Sequence, residues 1–79
     1  MHGWYRIRED ALYDEQGRMW TVYGIEAIDG RGDILACFAD LFFDRGSAWA
    51  FVHLCNEQQV ELLHLPEIID NVLAEQYGL

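Results

Sequence analysis

Residues 40–57 read DLFFDRGSAWAFVHLCNE, and the hydrophobic pattern changes its period within this stretch. The first part alternates as a β-strand does, whereas the second part repeats every three to four residues as an α-helix does. Asp44 lies where the period changes. Its carboxylate suits the N-cap position because it can accept hydrogen bonds from the free amides of a first helical turn. A helical wheel of residues 46–57 groups four side chains on one face: Ala48, Phe51, Val52 and Cys55.

Two strands are predicted in the first third of the chain. Residues 4–8 alternate loosely, as an edge strand does, and residues 11–13 either extend this strand or belong to the loop that follows. Residues 18–28 form the best strand, because they are rich in aromatic and β-branched side chains. Gly24 in the middle of that strand indicates a bulge or the close approach of another backbone.

The hydrophobic pattern of the remaining chain predicts a third strand and a second helix. The hairpin loop at residues 29–33 contains two glycines and leads into a strand at residues 34–42. Both faces of this strand are apolar, which predicts either a central position in the sheet or packing against a partner. After a connector at residues 58–64, Pro66 suits the first turn of a second helix and Gly78 suits its end. That helix has one apolar stripe: Leu65, Ile68, Ile69, Val72 and Leu73.

The order of these elements predicts a single α+β domain over residues 1–79. It is a three-stranded antiparallel meander followed by a two-helix hairpin packed on one face (β-β-β-α-α). Residues 1–3 are expected to be a disordered start. The composition is 52% hydrophobic and 14% aromatic, which excludes a disordered acidic tail. It also supplies more apolar side chain than so small a core encloses, which favours self-association and a homodimer.

The charge of the chain is unevenly distributed. The formal net charge is −9, and the only basic residues besides histidine are five arginines, all at or before Arg45. Residues 46–79 carry five acids and no base. The negative electrostatic field of these acids repels phosphate groups, so direct binding of nucleic acid or of an anionic membrane is not expected. A basic protein partner is compatible with the charge of the chain. The sequence lacks the pattern of a signal peptide and any apolar run long enough to span a bilayer, so a cytoplasmic protein is predicted.

The residues that could support chemistry do not form a recognisable set. Cys37 and Cys55 both lie in apolar runs, which predicts two buried, reduced thiols; one bridge between them is the alternative. His53 and Glu57 share a helix face at a spacing of four, but two ligands do not make a metal site, and His64 has no cysteine near it. No serine lies in a nucleophile-elbow sequence, and no phosphate-binding loop is present. We therefore predict no catalytic, cofactor or metal site, and no enzyme.

An interaction surface is the remaining functional prediction. Trp49 and His53 fall on one flank of the first helix together with Asn56, away from the face predicted to pack on the sheet. Tryptophan is a frequent anchor of interfaces. The alternative is that Trp49 folds over the sheet edge and completes the core. The predicted contact surface comprises five residues: Phe42, Phe43, Trp49, His53 and Asn56.

Several short motifs resemble a family of small Firmicutes proteins known only as a domain of unknown function. They are Tyr23-Gly24-Ile25, Asp40, Asp44, Leu54-Cys55-Asn56 and His64-Leu65. Together they resemble the family's Tyr-Gly-Ile strand, Asp-capped helix and His-Leu entry to a last helix, over about residues 19–75. The chain departs from that pattern by Pro66, and by Ala48, Trp49 and Ala50 where charged residues are usual. The resemblance implies a fold and a bacterial cytoplasm, but no activity.

These observations predict a small protein–protein interaction or regulatory module that self-associates. The first helix is expected to supply the contact. The alternative is an acidic inhibitor that occupies the groove of a basic nucleic-acid-binding protein.

Overall fold

The computed structural model describes residues 4–78, and the predicted disordered start at residues 1–3 lies outside this range. Three strands form one antiparallel sheet in the order β1-β2-β3. Their bounds are Trp4–Tyr13 for β1, Met19–Ile28 for β2 and Ile34–Phe42 for β3. Two helices follow, α1 at Arg45–Glu57 and α2 at Leu65–Tyr77, with a single 3-10 turn at Leu62–His64 before α2. The predicted α+β order, β-β-β-α-α, is confirmed.

The helices cover one face of the sheet, and the shortest dimension of the molecule, 19 Å, corresponds to two layers. The face of α1 predicted from the helical wheel is the buried one: Ala48, Phe51, Val52 and Cys55. It packs with Tyr5, Ile25 and Ala27 of the sheet, and α2 adds Leu65 and Ile69 to the same core. Within residues 4–78, no helix combines the length and the apolar content needed to cross a bilayer.

Both helices have residues at their ends that favour the start or the end of a helix. Asp44 is the N-cap of α1, where its carboxylate accepts from the Ser47 amide at 2.8 Å and from the Ser47 hydroxyl at 2.7 Å. Both hydrogen bonds lower the pKa of Asp44, and the bond from the Ser47 hydroxyl is the larger cause. Pro66 lies in the first turn of α2, and Gly78 closes that helix in the left-handed conformation with φ of 70°.

A bulge in β3 explains the glycine in β2. Ile25 pairs with Phe38 and Tyr23 pairs with Phe42, so β3 advances by four residues where β2 advances by two. Gly24 lies opposite the additional residues, and a Cβ atom there would clash with the Phe38 carbonyl oxygen. Both a bulge and a close backbone approach are therefore present at Gly24.

The position of β3 decides one of the two alternatives predicted for this strand. Its apolar faces predicted a central strand or a strand that packs on a partner. Since β2 is the central strand and β3 lies at an edge, the first alternative is wrong, and packing on a partner stays a prediction. The first strand is an edge strand as predicted, and it continues through residues 11–13. Cys37 is exposed because the helices cover the other face of the sheet; the prediction of a buried thiol is wrong for this residue.

Candidate interaction surface

The exposed side of α1 carries a stacked pair of rings. Trp49 lies parallel to His53, with ring centroids 4.9 Å apart and an interplanar angle of 6°. Trp49 is 57% exposed, so it does not fold over the sheet edge to complete the core. His53 Nε2 lies 3.4 Å from a Glu57 carboxylate oxygen one turn further along the helix. We call Trp49 and His53 the α1 flank.

Phe43 extends the apolar surface beyond the start of α1. This side chain is 68% exposed and meets Tyr77 of α2 edge to face, with ring centroids 6.5 Å apart. The Tyr77 hydroxyl donates to the Leu41 carbonyl oxygen at 2.9 Å. The end of α2 is therefore attached to the end of β3 beside Phe43.

Phe42 and Asn56 do not lie on the surface that the sequence predicted for them. Phe42 is only 3% exposed and packs on Phe51 of α1, with ring centroids 5.7 Å apart. The half-buried Asn56 side chain faces β1 and bonds both backbone groups of Tyr5. Its Oδ1 accepts from the Tyr5 amide at 2.8 Å, and its Nδ2 donates to the Tyr5 carbonyl at 2.9 Å. Both residues hold the core together and are not available to a partner.

The sheet face opposite the helices, here called the open face, carries a charged cluster that the sequence analysis missed. Glu26 is only 8% exposed, and its carboxylate is bonded by Arg6 Nε at 2.9 Å and by Arg8 Nη1 at 3.3 Å. Arg8 also bonds Asp10, which raises the pKa of the guanidinium. The sequence signal is the alternation that places Arg6, Arg8 and Glu26 on one face once β1 and β2 are paired.

Exposed apolar side chains surround that cluster. Trp4 and Leu12 of β1 and Trp20 of β2 share the open face, because alternate residues of a strand point to the same side. Leu35 of β3 is also exposed. The open face is therefore a second candidate contact surface, apolar at its margins and charged at its centre.

The two cysteines and the histidines do not assemble into a reactive centre among the described residues. Cys37 and Cys55 are unpaired; burial raises the pKa of the Cys55 thiol to about 11, so it stays protonated at neutral pH. His64 is exposed at the start of α2. Residues 4–78 contain no group of three potential metal ligands and no pocket.

Comparison with protein-family models, with curated proteins and with solved structures finds no match to this chain. The resemblance to the small Firmicutes family therefore stays a prediction.

Proposed function

We propose that this protein is a small protein–protein interaction module that acts in a bacterial cytoplasm. The observation that carries the proposal is the stacked pair on the α1 flank. Trp49 leaves most of its surface in water, although a tryptophan contributes a large apolar area when it is buried. Stacking on His53 already restricts the Trp49 rotamer, so that binding a partner orders this side chain at reduced entropic cost.

The charge around the α1 flank supports a protein partner. Apart from the titratable His53, residues 46–56 contain no ionisable side chain other than the buried Cys55 thiol. Glu57 and Asp44 lie at the two ends of this stretch, so the apolar centre has polar ends. An apolar centre with a polar rim is the usual anatomy of a protein interface.

The test compares two exposed residues on different sides of α1. Tagged wild type, Trp49→Ala and Leu54→Ala proteins would be used to capture proteins from a bacterial lysate. Leu54 is the matched control because it is also exposed on this helix. We expect a protein that is retained by wild type and by Leu54→Ala and is lost with Trp49→Ala. Recovery of the same proteins by all three baits would contradict a role for the α1 flank.

Self-association is the second part of the proposal. Twelve large hydrophobic side chains of the described residues are exposed, and they supply apolar surface that a second copy of the chain could cover. Light scattering over a series of protein concentrations should show a dimer. A monodisperse monomer at high concentration would contradict this part of the proposal and leave the α1 flank to be judged by the capture experiment.

The distribution of ion pairs favours an acidic inhibitor as a second candidate function. Four arginines form ion pairs within the chain, with the carboxylates of Glu26, Asp10, Asp14 and Glu9. In contrast, four exposed acids of the second half have no ion pair among residues 4–78: Glu61, Glu67, Asp70 and Glu75. A basic partner bound by these acids should dissociate as salt is raised. Binding that does not change between low and high salt would argue against this candidate.

A further inference from the structure

The open face of the sheet does not have the composition of a solvated face. An antiparallel sheet with one face in water normally places polar side chains on that face. Here β2 contributes five residues to the open face, of which one is charged: Trp20, Val22, Gly24, Glu26 and Ile28. Two of the three tryptophans of the chain, Trp4 and Trp20, also lie on this face and are 63% and 43% exposed. These residue types are typical of a contact surface.

The charges that β1 and β2 place on the open face cancel. They are two arginines and two acids: Arg6, Arg8, Asp10 and Glu26. All four take part in ion pairs, with nitrogen–oxygen distances of 2.9, 2.7 and 3.3 Å. The formal net charge of the chain is −9, so this excess of negative charge comes from residues outside the cluster. Two copies of the chain therefore approach through their open faces with little mutual repulsion.

We propose that the open faces of two copies of this chain pack against each other, about a two-fold axis that lies between the faces and crosses their centres. Trp4 lies at one end of the face, and the paired Leu12 and Trp20 lie at the other end, with the charged cluster between them. Whether the axis runs along the strands or across them, it places an apolar end on an apolar end. This inference rests on the self-association proposed above and assigns it to the open face, which leaves the α1 flank free for a different protein.

The charged centre is compatible with burial between two sheets. Burial of an ion pair is most unfavourable when one charge is left without a partner. Glu26 is already only 8% exposed, and both of its carboxylate oxygens accept hydrogen bonds from arginine. Arg6 and Arg8 keep these partners in the dimer. Association therefore dehydrates charges that are already paired.

Charge also selects a second copy as the occupant of this face. A basic partner is attracted to the unpaired acids of the second half, and α2, which carries three of them, packs on the opposite side of the sheet. An acidic partner is repelled by the net charge of the chain. A second copy brings the same balanced cluster and the same apolar ends, so the open face is complementary to itself.

The size of the open face determines the strength expected of the dimer. The two longer strands have ten residues each, and a strand of this length extends over about 33 Å. Three strands side by side span about 14 Å, so the two faces together present about 900 Å². This area lies at the low end of specific interfaces. The dimer should therefore be weak, and its population should depend on protein concentration.

A pair of matched lysine substitutions tests the assignment. Leu12 of the open face and Leu54 of α1 are 37% and 46% exposed, and each is changed to lysine. Both variants reduce the net negative charge equally, so added repulsion does not explain the loss of a dimer. The lysine at residue 12 places an ammonium group against the apolar end of the second copy. In light scattering over a concentration series, we expect Leu12→Lys to be monomeric where wild type and Leu54→Lys are dimeric.

Alkylation of the wild-type chain supplies a test that does not depend on a variant folding. Cys37 is exposed and pairs with Glu26, so it lies on the open face and is covered in the dimer. Its rate of reaction with N-ethylmaleimide should fall about tenfold at a concentration where about nine-tenths of the chain is dimeric, because only the monomer reacts. The Cys55 thiol is buried and protonated and does not contribute at neutral pH. Cys37→Ser is the control that should show no reaction.

The outcomes separate this inference from the proposed function. A dimer that Leu12→Lys leaves intact, or that forms without slowing the alkylation of Cys37, would overturn the assignment to the open face and leave self-association standing. Dissociation of that dimer by Trp49→Ala would likewise return the contact to α1. Where circular dichroism shows that Leu12→Lys does not fold, the alkylation rate of wild type decides alone. A wild-type chain that is monomeric throughout the series would overturn the inference together with the self-association on which it rests.

Discussion

Replacing Asn56 by alanine should remove a large share of the stability of this domain. The substitution deletes both hydrogen bonds to the backbone of Tyr5, at 2.8 and 2.9 Å, and so detaches α1 from the outer edge of β1. A net contribution of about 1 kcal/mol per hydrogen bond gives a loss of about 2 kcal/mol. A domain of this length has a free energy of unfolding of about 4–12 kcal/mol. The expected fall in Tm is about 8–16 °C.

The assay is urea unfolding followed by far-ultraviolet circular dichroism, with Asn71→Ala as the matched control. Asn71 is exposed on α2, so both variants lose the same amide and gain the same helix propensity of alanine. The difference between them measures the bonds that Asn56 makes to Tyr5. If the two variants differ by less than about 0.5 kcal/mol, which is the scatter of neutral surface substitutions, the reasoning is refuted.

Three further predictions concern the bulge, a buried hydroxyl and the helix cap. Gly24→Ala should cost about 3 kcal/mol of unfolding free energy, because its Cβ meets the Phe38 carbonyl oxygen, and a normal urea midpoint would contradict this. Tyr5→Phe should cost about 1–2 kcal/mol in the same assay, because the Val60 carbonyl loses the hydroxyl that bonds it at 2.6 Å. Hydrogen bonds lower the pKa of Asp44 in the folded chain, so the stability of wild type relative to Asp44→Asn should fall as the pH drops from about 4 through that lowered pKa. Urea midpoints that keep a constant difference between pH 7 and pH 2 would contradict the last prediction.

Local sequence patterns were sufficient to predict the strands and helices but not to predict which of these elements lie next to each other. The strand at residues 34–42 and the cap at Asp44 were predicted from residues next to them in the sequence, and both are present. The edge position of β3 depends on which strands pair, and alternation along one strand carries no information about this. Cys37 is exposed for the same reason, since its face of the sheet has no helix over it.

The candidate site was predictable only in part. The helical wheel placed Trp49, His53 and Asn56 on one flank, which is correct as a direction from the helix axis. It could not show that β1 comes within hydrogen-bonding distance of Asn56 and not of Trp49. Phe42 is predicted on the surface because both faces of β3 are apolar, and alternation along the strand does not show which face the helices cover. Gly24 signalled the bulge, but the left-handed Asp40, with φ of 58°, gave no comparable signal.

The bulge in β3 also bears on which changes of chain length this fold accepts. Because it adds an even number of residues, Phe38 and Phe42 remain on the same side of the sheet. Deleting one residue between them would send one phenylalanine to the open face. Deleting Ala39 and Asp40 together would keep both rings inward and relieve the contact at Gly24. We therefore expect length variation in this segment of the chain to be tolerated in steps of two residues.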